Sequence, residues 1–186
     1  MITVFLDMDG VLVDFVGGAL DLFGSDLDIA DARWNFPGQI GFTGGEDPAF
    51  WDPLGYEFWA NLEWTKEGQS LLNRLETLVG HNNIGLLSSP CHTEGCAEGK
   101  RAWIKKHLPQ YQKHLFLGSA KHLFASRKKI LVDDHDPNVE NFQKYGGQSI
   151  LVPRPWNSER HLTDDKGGFE LNALMDKVHG TLHKIV

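Results

Sequence analysis

The chain has 186 residues, 41% hydrophobic and 23% charged, enough for one globular domain with an ordinary core and a small insertion at most. Lys and Arg number 18 against 25 Asp and Glu, and the formal charge of −7 excludes the broad basic groove of a nucleic-acid polymer binder while leaving room for a small anionic substrate. No window approaches the ~18 consecutive apolar residues of a membrane span, and the first residues enter a strand without a charged-then-apolar leader, so a cytoplasmic protein is expected.

The first predicted element is a buried strand, the apolar run Ile2 to Leu6. It ends in Asp7, Asp9 and Gly10. Alternate strand residues point the same way, so the two carboxylates converge beyond the strand end. Two anions this close need a cation or a proton between them. Phosphoryl transfer uses such a pair: one carboxylate attacks phosphorus, a hard divalent cation neutralises charge, and the other carboxylate carries a proton to the leaving oxygen. A calcium-binding EF-hand loop is excluded, because Val11 stands at its fifth position and the glycine comes at its fourth. A merely acidic turn competes with the short Asp-x-Asp-Gly pattern, but the strand in front and Val11-Leu-Val-Asp-Phe15 behind weigh against it.

Val11 to Phe23 reads as a helix weakened by Gly17 and Gly18. From 25 to 64 the pattern turns irregular. Nine of the twenty aromatics fall between Trp34 and Trp64, interrupted by Pro37, Gly38, Gly41, Gly44, Gly45, Pro48, Pro53 and Gly55, which predicts a partly helical insertion. Regular α/β alternation then begins. Thr65 is the expected N-cap of a helix with its stripe at Leu71, Leu72, Leu75 and Leu78. Strands are expected at Ile84–Leu87, Leu115–Leu117, Lys128–Val132 and Ser149–Val152. Helices are expected at Glu98–His107, from Asp136-Pro137 to about Tyr145, and along the C-terminal stripe Leu171 to Ile185. Cys91 and Cys96 lack the further ligands of a zinc site and read as ordinary reduced thiols.

Such alternation predicts a doubly wound, Rossmann-like parallel sheet, which places chemistry beyond the carboxyl ends of its strands. The polar residues there are Asp7 and Asp9, Ser88 and Ser89, and Asp133 and Asp134, with Lys121 shortly after a fourth strand. Each has a plain structural reading: Ser-Ser-Pro a turn, lone Lys121 a solvated charge, Asp133-Asp134 a helix start. Their recurrence on successive strand ends favours a phosphate and magnesium site.

The stretch Asp7-Met-Asp-Gly-Val-Leu-Val-Asp-Phe15 resembles the first motif of the haloacid dehalogenase (HAD) superfamily of phosphatases. More narrowly, it resembles the cytosolic and mitochondrial 5'(3')-deoxyribonucleotidase family, in which Asp-Met-Asp-Gly-Val-Leu is followed by Asp-Phe. Leu86-Leu-Ser-Ser-Pro90 is similar to that family's Cys-Thr-Ser-Pro, with Ser88 in place of the threonine. Lys100-Arg-Ala-Trp-Ile-Lys-Lys-His-Leu108 is similar to its Lys-Tyr-Arg-Trp-Val-x-x-His-Leu, and Ile130-Leu-Val-Asp-Asp134 to its Leu-Ile-Asp-Asp. Lys121 stands where the third-motif lysine belongs. Arg154 to His161 is less specifically similar to a loop near the substrate.

The resemblance implies an α/β HAD fold, with a core of residues 1–15 and 65–186 and a small helical C1-type cap of residues 16–64. It implies Asp7 as nucleophile, Asp9 as general acid and base, and Mg²⁺ held by Asp7, the main-chain carbonyl of Asp9 and Asp134. Ser88, Ser89 and Lys121 would bind the phosphate. Phe15, Phe58 and Trp59 are the candidates for lining a base pocket, with Trp34, Trp51 and Trp64 expected mostly in the core of the cap. The expected partner is a small nucleotide, (deoxy)ribonucleoside monophosphate, with no nucleic-acid polymer and no membrane; a homodimer is left open. Two alternatives share the scaffold: a phosphatase for another small monoester such as a sugar phosphate, and a non-catalytic phosphate-binding protein.

Overall fold

The structure, a computed structural model, describes residues 1–185. Five strands, β1 (Thr3–Leu6), β2 (Ile84–Ser88), β3 (Leu115–Leu117), β4 (Lys129–Asp133) and β5 (Gln148–Leu151), pair in parallel in the order β3-β2-β1-β4-β5. The chain leaves the central β1 toward β2 and β3 on one side and later fills β4 and β5 on the other. That order puts a topological switch point at β1, where open sheets of this kind bind ligands. Leu6 pairs with Leu86 and with Val132, so the carboxyl ends of the three central strands lie level.

The two-residue period of the strands divides the core. Val4, Leu6, Leu86, Ile130 and Val132 enter a large apolar cluster with α5 (Gly68–Val79), α6 (Cys96–His107) and α8 (Leu171–Ile185). Phe5, Leu87 and Leu131 face the opposite way and meet Phe142 of α7 (Asp136–Lys144). Helices therefore cover both faces, as the doubly wound reading requires. Among the described residues no helix is long and apolar enough to cross a membrane.

The insertion follows α1 (Phe15–Leu22) and holds three short helices, α2 (Phe36–Gln39), α3 (Pro48–Trp51) and α4 (Tyr56–Ala60). Its Phe36, Phe50, Leu54 and Trp59 belong to the same apolar cluster as Leu71 and Trp103, so it shares the core of the sheet. Close docking of α4 on α6 depends on Gly99: a Cβ there would lie 2.5 Å from Trp59 Cβ and 2.7 Å from the Tyr56 carbonyl oxygen. Gly99→Val is expected to overpack this contact by about 1–3 kcal/mol, lowering the thermal unfolding midpoint by roughly 2–12 °C; an unchanged midpoint would mean that α4 yields freely.

Two local expectations are corrected. The first helix begins at Phe15 rather than Val11, because the Asp14 carboxylate caps it by accepting the Gly17 N–H at 3.0 Å and residues 8–13 fold into a tight loop. Thr65 does not cap α5, which starts at Gly68; its hydroxyl donates instead to the Val11 carbonyl at 2.7 Å and ties that loop down.

Candidate active site

The loop after β1 is built around one carbonyl. Met8 O accepts the N–H groups of Val11, Leu12 and Val13 at 3.2, 2.7 and 2.9 Å, turning the chain back beneath the site. Gly10 has φ +68°, and a Cβ there would fall 2.1 Å from Asp134 Oδ2. Only glycine permits both that backbone and the close approach of this carboxylate. Buried Arg154 donates from Nε to the Gly10 carbonyl at 2.6 Å and is itself paired with Glu67 at 3.2 Å.

Strand register gathers the charges. Asp7 Oδ1 accepts the Met8 N–H and Lys121 Nζ, both at 2.8 Å. Lys121 also donates to Asp133 Oδ2 at 2.7 Å, and Asp133 takes further bonds from the His135 N–H and the Asn138 amide. Asp9 Oδ2 is held by Lys100 Nζ, which also reaches Ser88 Oγ at 3.0 Å and lies 4.5 Å from the Trp59 ring centroid. Asp9 Oδ1 is buried without a hydrogen-bond partner. Trp156 Nε1 donates to Asp134 Oδ2 at 2.6 Å.

Two buried lysines thus face the four carboxylates of Asp7, Asp9, Asp133 and Asp134, leaving two negative charges. Burial drives the Asp7 pKa up to about 7, despite Lys121. Burial, then the Asp133 and Asp7 charges, raises Asp134 well above the carboxylate range. Oxygens of Asp7, Asp133 and Asp134 lie within 4.8 Å of one another. A hard divalent cation fits this donor set and charge deficit. Both oxygens of Asp133 already accept hydrogen bonds, from Lys121, the His135 N–H and the Asn138 amide, whereas Asp7 and Asp134 each keep one oxygen to offer it. The Asp9 side chain is not in the cluster, which confines any Asp9 contribution to its main-chain carbonyl.

A cavity of about 460 Å³ opens above these groups. Asp7, Asp9, Ser89, Lys121 and Asp134 form its floor, while Phe15, Trp34, Trp51 and Trp59 stand among its walls. Ser88 is fully buried, its hydroxyl turned to Lys100 rather than into the cavity, so its expected direct contact with phosphate is corrected. Phe58 is likewise not in the wall; it packs edge-on against Phe15 and Trp59. The faces of Phe15 are stacked on Trp51 and Trp59, at 6.1 and 5.2 Å between centroids. Trp64 is packed on Trp103, away from the site. Trp34, read from sequence as cap core, is 59% exposed and stacks on His135 at 3.9 Å across the mouth. Burial lowers the His135 pKa, leaving a neutral ring there at pH 7. Sequence reasoning gives Lys100, Arg154 and Trp156 no individual role, and gives Asp133 only a place among the strand-end polar residues, not its part as the partner of Lys121.

Sheet order, strand-end carboxylates and lysine together define a HAD-fold hydrolase. Among solved structures, the HAD family hydrolase of Deinococcus radiodurans R1, with bound phosphate and sodium, matches with a TM-score of 0.58 at 15% identity, covering 96% of this chain and 95% of that one. A hydrolase from Pseudomonas syringae (TM-score 0.47, 13% identity, 95% and 90% covered) and a HAD family enzyme from Bacteroides thetaiotaomicron in a magnesium complex (0.43, 14%, 87% and 98%) are more distant in shape. Residues 1–168 match the family described as 5' nucleotidase, deoxy (pyrimidine), cytosolic type C protein, and the chain belongs to that family. It is a phosphatase of the 5'-nucleotidase kind. A search of the curated proteins returned no match.

Proposed function

We propose that this phosphatase is Mg²⁺-dependent and removes the 5'-phosphate of (deoxy)ribonucleoside monophosphates through an aspartyl-phosphate. The observation that carries the reading is the division of labour in one cavity: two carboxylates, each paired to its own buried lysine, lie at the floor beneath aromatic walls. Both hydrogen bonds to the Asp7 carboxylate fall on Oδ1, which leaves Oδ2 to attack phosphorus. Lys100 holds the Asp9 carboxylate at the cavity floor, where it carries the proton to the leaving 5'-oxygen and later takes one from the hydrolytic water. Lys121 and the donors of Ser89 face the phosphoryl oxygens. Asp7, Asp134 and the Asp9 carbonyl would hold Mg²⁺, which would supply the remaining positive charge.

Residues 16–64 act as the lid over the core in this reading, and the family's cytosolic description is extended to the chain. Trp34 is the most exposed aromatic of the wall and so the one best placed to offer a base its surface, since the faces of Phe15 are already covered. Phosphate release from dUMP, dTMP, dGMP and glucose 6-phosphate, in EDTA and after adding Mg²⁺ or Ca²⁺, tests the proposal. EDTA should stop release and Mg²⁺ restore it, with Ca²⁺ poor because its looser coordination misplaces phosphorus. The nucleotides should win clearly in kcat/KM, and Trp34→Ala should remove roughly 5- to 150-fold of that, one stacking contact of about 1–3 kcal/mol. Nucleotides turned over no faster than the sugar phosphate would replace this reading by the sugar-phosphatase one.

A further inference from the structure

Cys91 and Cys96 bracket the turn that joins β2 to α6. Cys91 is half-buried and lines the active-site cavity beside Ser89 and Pro90, while Cys96, the first residue of α6, is wholly buried. Gly95, in the left-handed region at φ +84°, folds the turn so that the Cys91 N–H donates to Cys96 Sγ at 3.1 Å. That approach sets the Cys96 sulfur against the Cys91 main chain, so the two side chains are neighbours within one turn. Cys91 Sγ also lies 2.9 Å from the Thr93 hydroxyl.

We infer that Cys91 is a peroxide-reactive thiol and Cys96 its resolving partner, so that hydrogen peroxide closes a reversible Cys91–Cys96 disulfide in the wall of the phosphatase site. The Cys91 sulfur attacks a peroxide oxygen, the O–O bond breaks, and hydroxide leaves to give the sulfenic acid. The Cys96 sulfur then displaces oxygen from Cys91, and its proton departs with that hydroxide as water. Two thiols are oxidised and one peroxide is reduced to two waters. The chemistry of the pair suits these roles. The Cys96 thiol bonded to Cys91, joined by Thr93 and the Lys100 charge, outweighs burial and lowers the Cys91 pKa to about 6, whereas Cys96 is raised. Cys91, the thiol in the cavity wall, is therefore the one shifted toward thiolate, and buried Cys96 the one shifted away from it. A bridge of this kind in a reducing compartment is transient and regulatory rather than structural.

The position gives the bridge a consequence. Lys100 stands one helical turn beyond Cys96 on α6, and its ammonium holds Asp9. Drawing Cys96 toward Cys91 moves the first turn of α6, and a displacement near 1 Å at a catalytic group costs up to about a hundredfold.

The purified full-length chain is treated with hydrogen peroxide, alkylated, and weighed intact. The expected result is loss of both alkylatable thiols and a mass lower by two hydrogens, with hydrolysis of p-nitrophenyl phosphate down about tenfold and both restored by dithiothreitol. Cys96→Ser should stop at a sulfenic acid trapped by dimedone, and iodoacetamide should modify Cys91 with a half-maximal rate near pH 6. Two thiols still alkylatable after peroxide would overturn the inference, as would a bridge formed with activity unchanged. Thiol count and mass do not depend on what the enzyme hydrolyses, so they fail or succeed independently of the nucleotide reading.

Discussion

Replacing Asp7 by Asn should lower phosphate release at least about a hundredfold without unfolding the protein, because the amide is nearly isosteric but a very poor nucleophile. The stability of this variant separates chemistry from folding. In the metal-free protein the Asp7 pKa is about 7 against an ordinary 3.8, so the folded chain holds this proton more tightly than the unfolded one. Its contribution is present below pH 3.8 and is lost as pH rises toward 7. Asn carries no charge to desolvate, and Lys121 keeps Asp133 as a partner. In EDTA at pH 8 the variant should therefore melt at or above the temperature of the parent. Activity above about one per cent of the parent would contradict a covalent intermediate on Asp7.

Lys121→Met should be the most damaging change on both counts. Burial would pull the Lys121 pKa down, but the Asp7 and Asp133 carboxylates outweigh it and hold the ammonium charged. Methionine fills the volume and leaves those two carboxylates buried without their cation, which costs about 3–5 kcal/mol. Losing a donor aimed at the phosphoryl oxygens should reduce kcat by about 10²–10³-fold. Thermal unfolding and steady-state kinetics on the same sample check both. A lowered midpoint with kcat intact would reduce Lys121 to a structural ion pair.

Asp7, Asp9, Asp134 and Lys121 were legible because a parallel sheet delivers the residues past its strand ends to one place, whatever their separation in sequence. Leu115–Leu117 matched residue for residue, and the other strands were placed within one residue at most ends. Lys100 was harder. It meets Asp9 across 91 residues of sequence, and a lysine in a basic helix reads first as solvated. One signal was present: Lys100, Trp103 and Ile104 fall at i, i+3 and i+4, which puts the lysine on the buried stripe of α6. No such period exists between 25 and 56, where short helices and glycine turns follow one another. Sequence therefore could not separate Trp34 at the mouth from Phe58 behind Phe15. Trp156 and Arg154 were also invisible as supports, since their partners Asp134 and Gly10 lie 22 and 144 residues away.

The central strand has a further consequence, for the order of assembly. β1 comes first in the chain yet pairs only with segments at residues 84–86 and 129–132. During synthesis the run Thr3–Leu6, whose last three residues end up fully or almost fully buried, waits for about 80 residues to emerge before either neighbour exists. The second neighbour comes later still, and the Asp7–Lys121–Asp133 contacts can close only after it. Non-local parallel pairing of this kind folds slowly and leaves an apolar strand open to wrong partners in the meantime. Nascent chains stalled between β2 and β4 are therefore the species most exposed to aggregation and most dependent on chaperones, and the catalytic floor is among the last parts of the molecule to take shape.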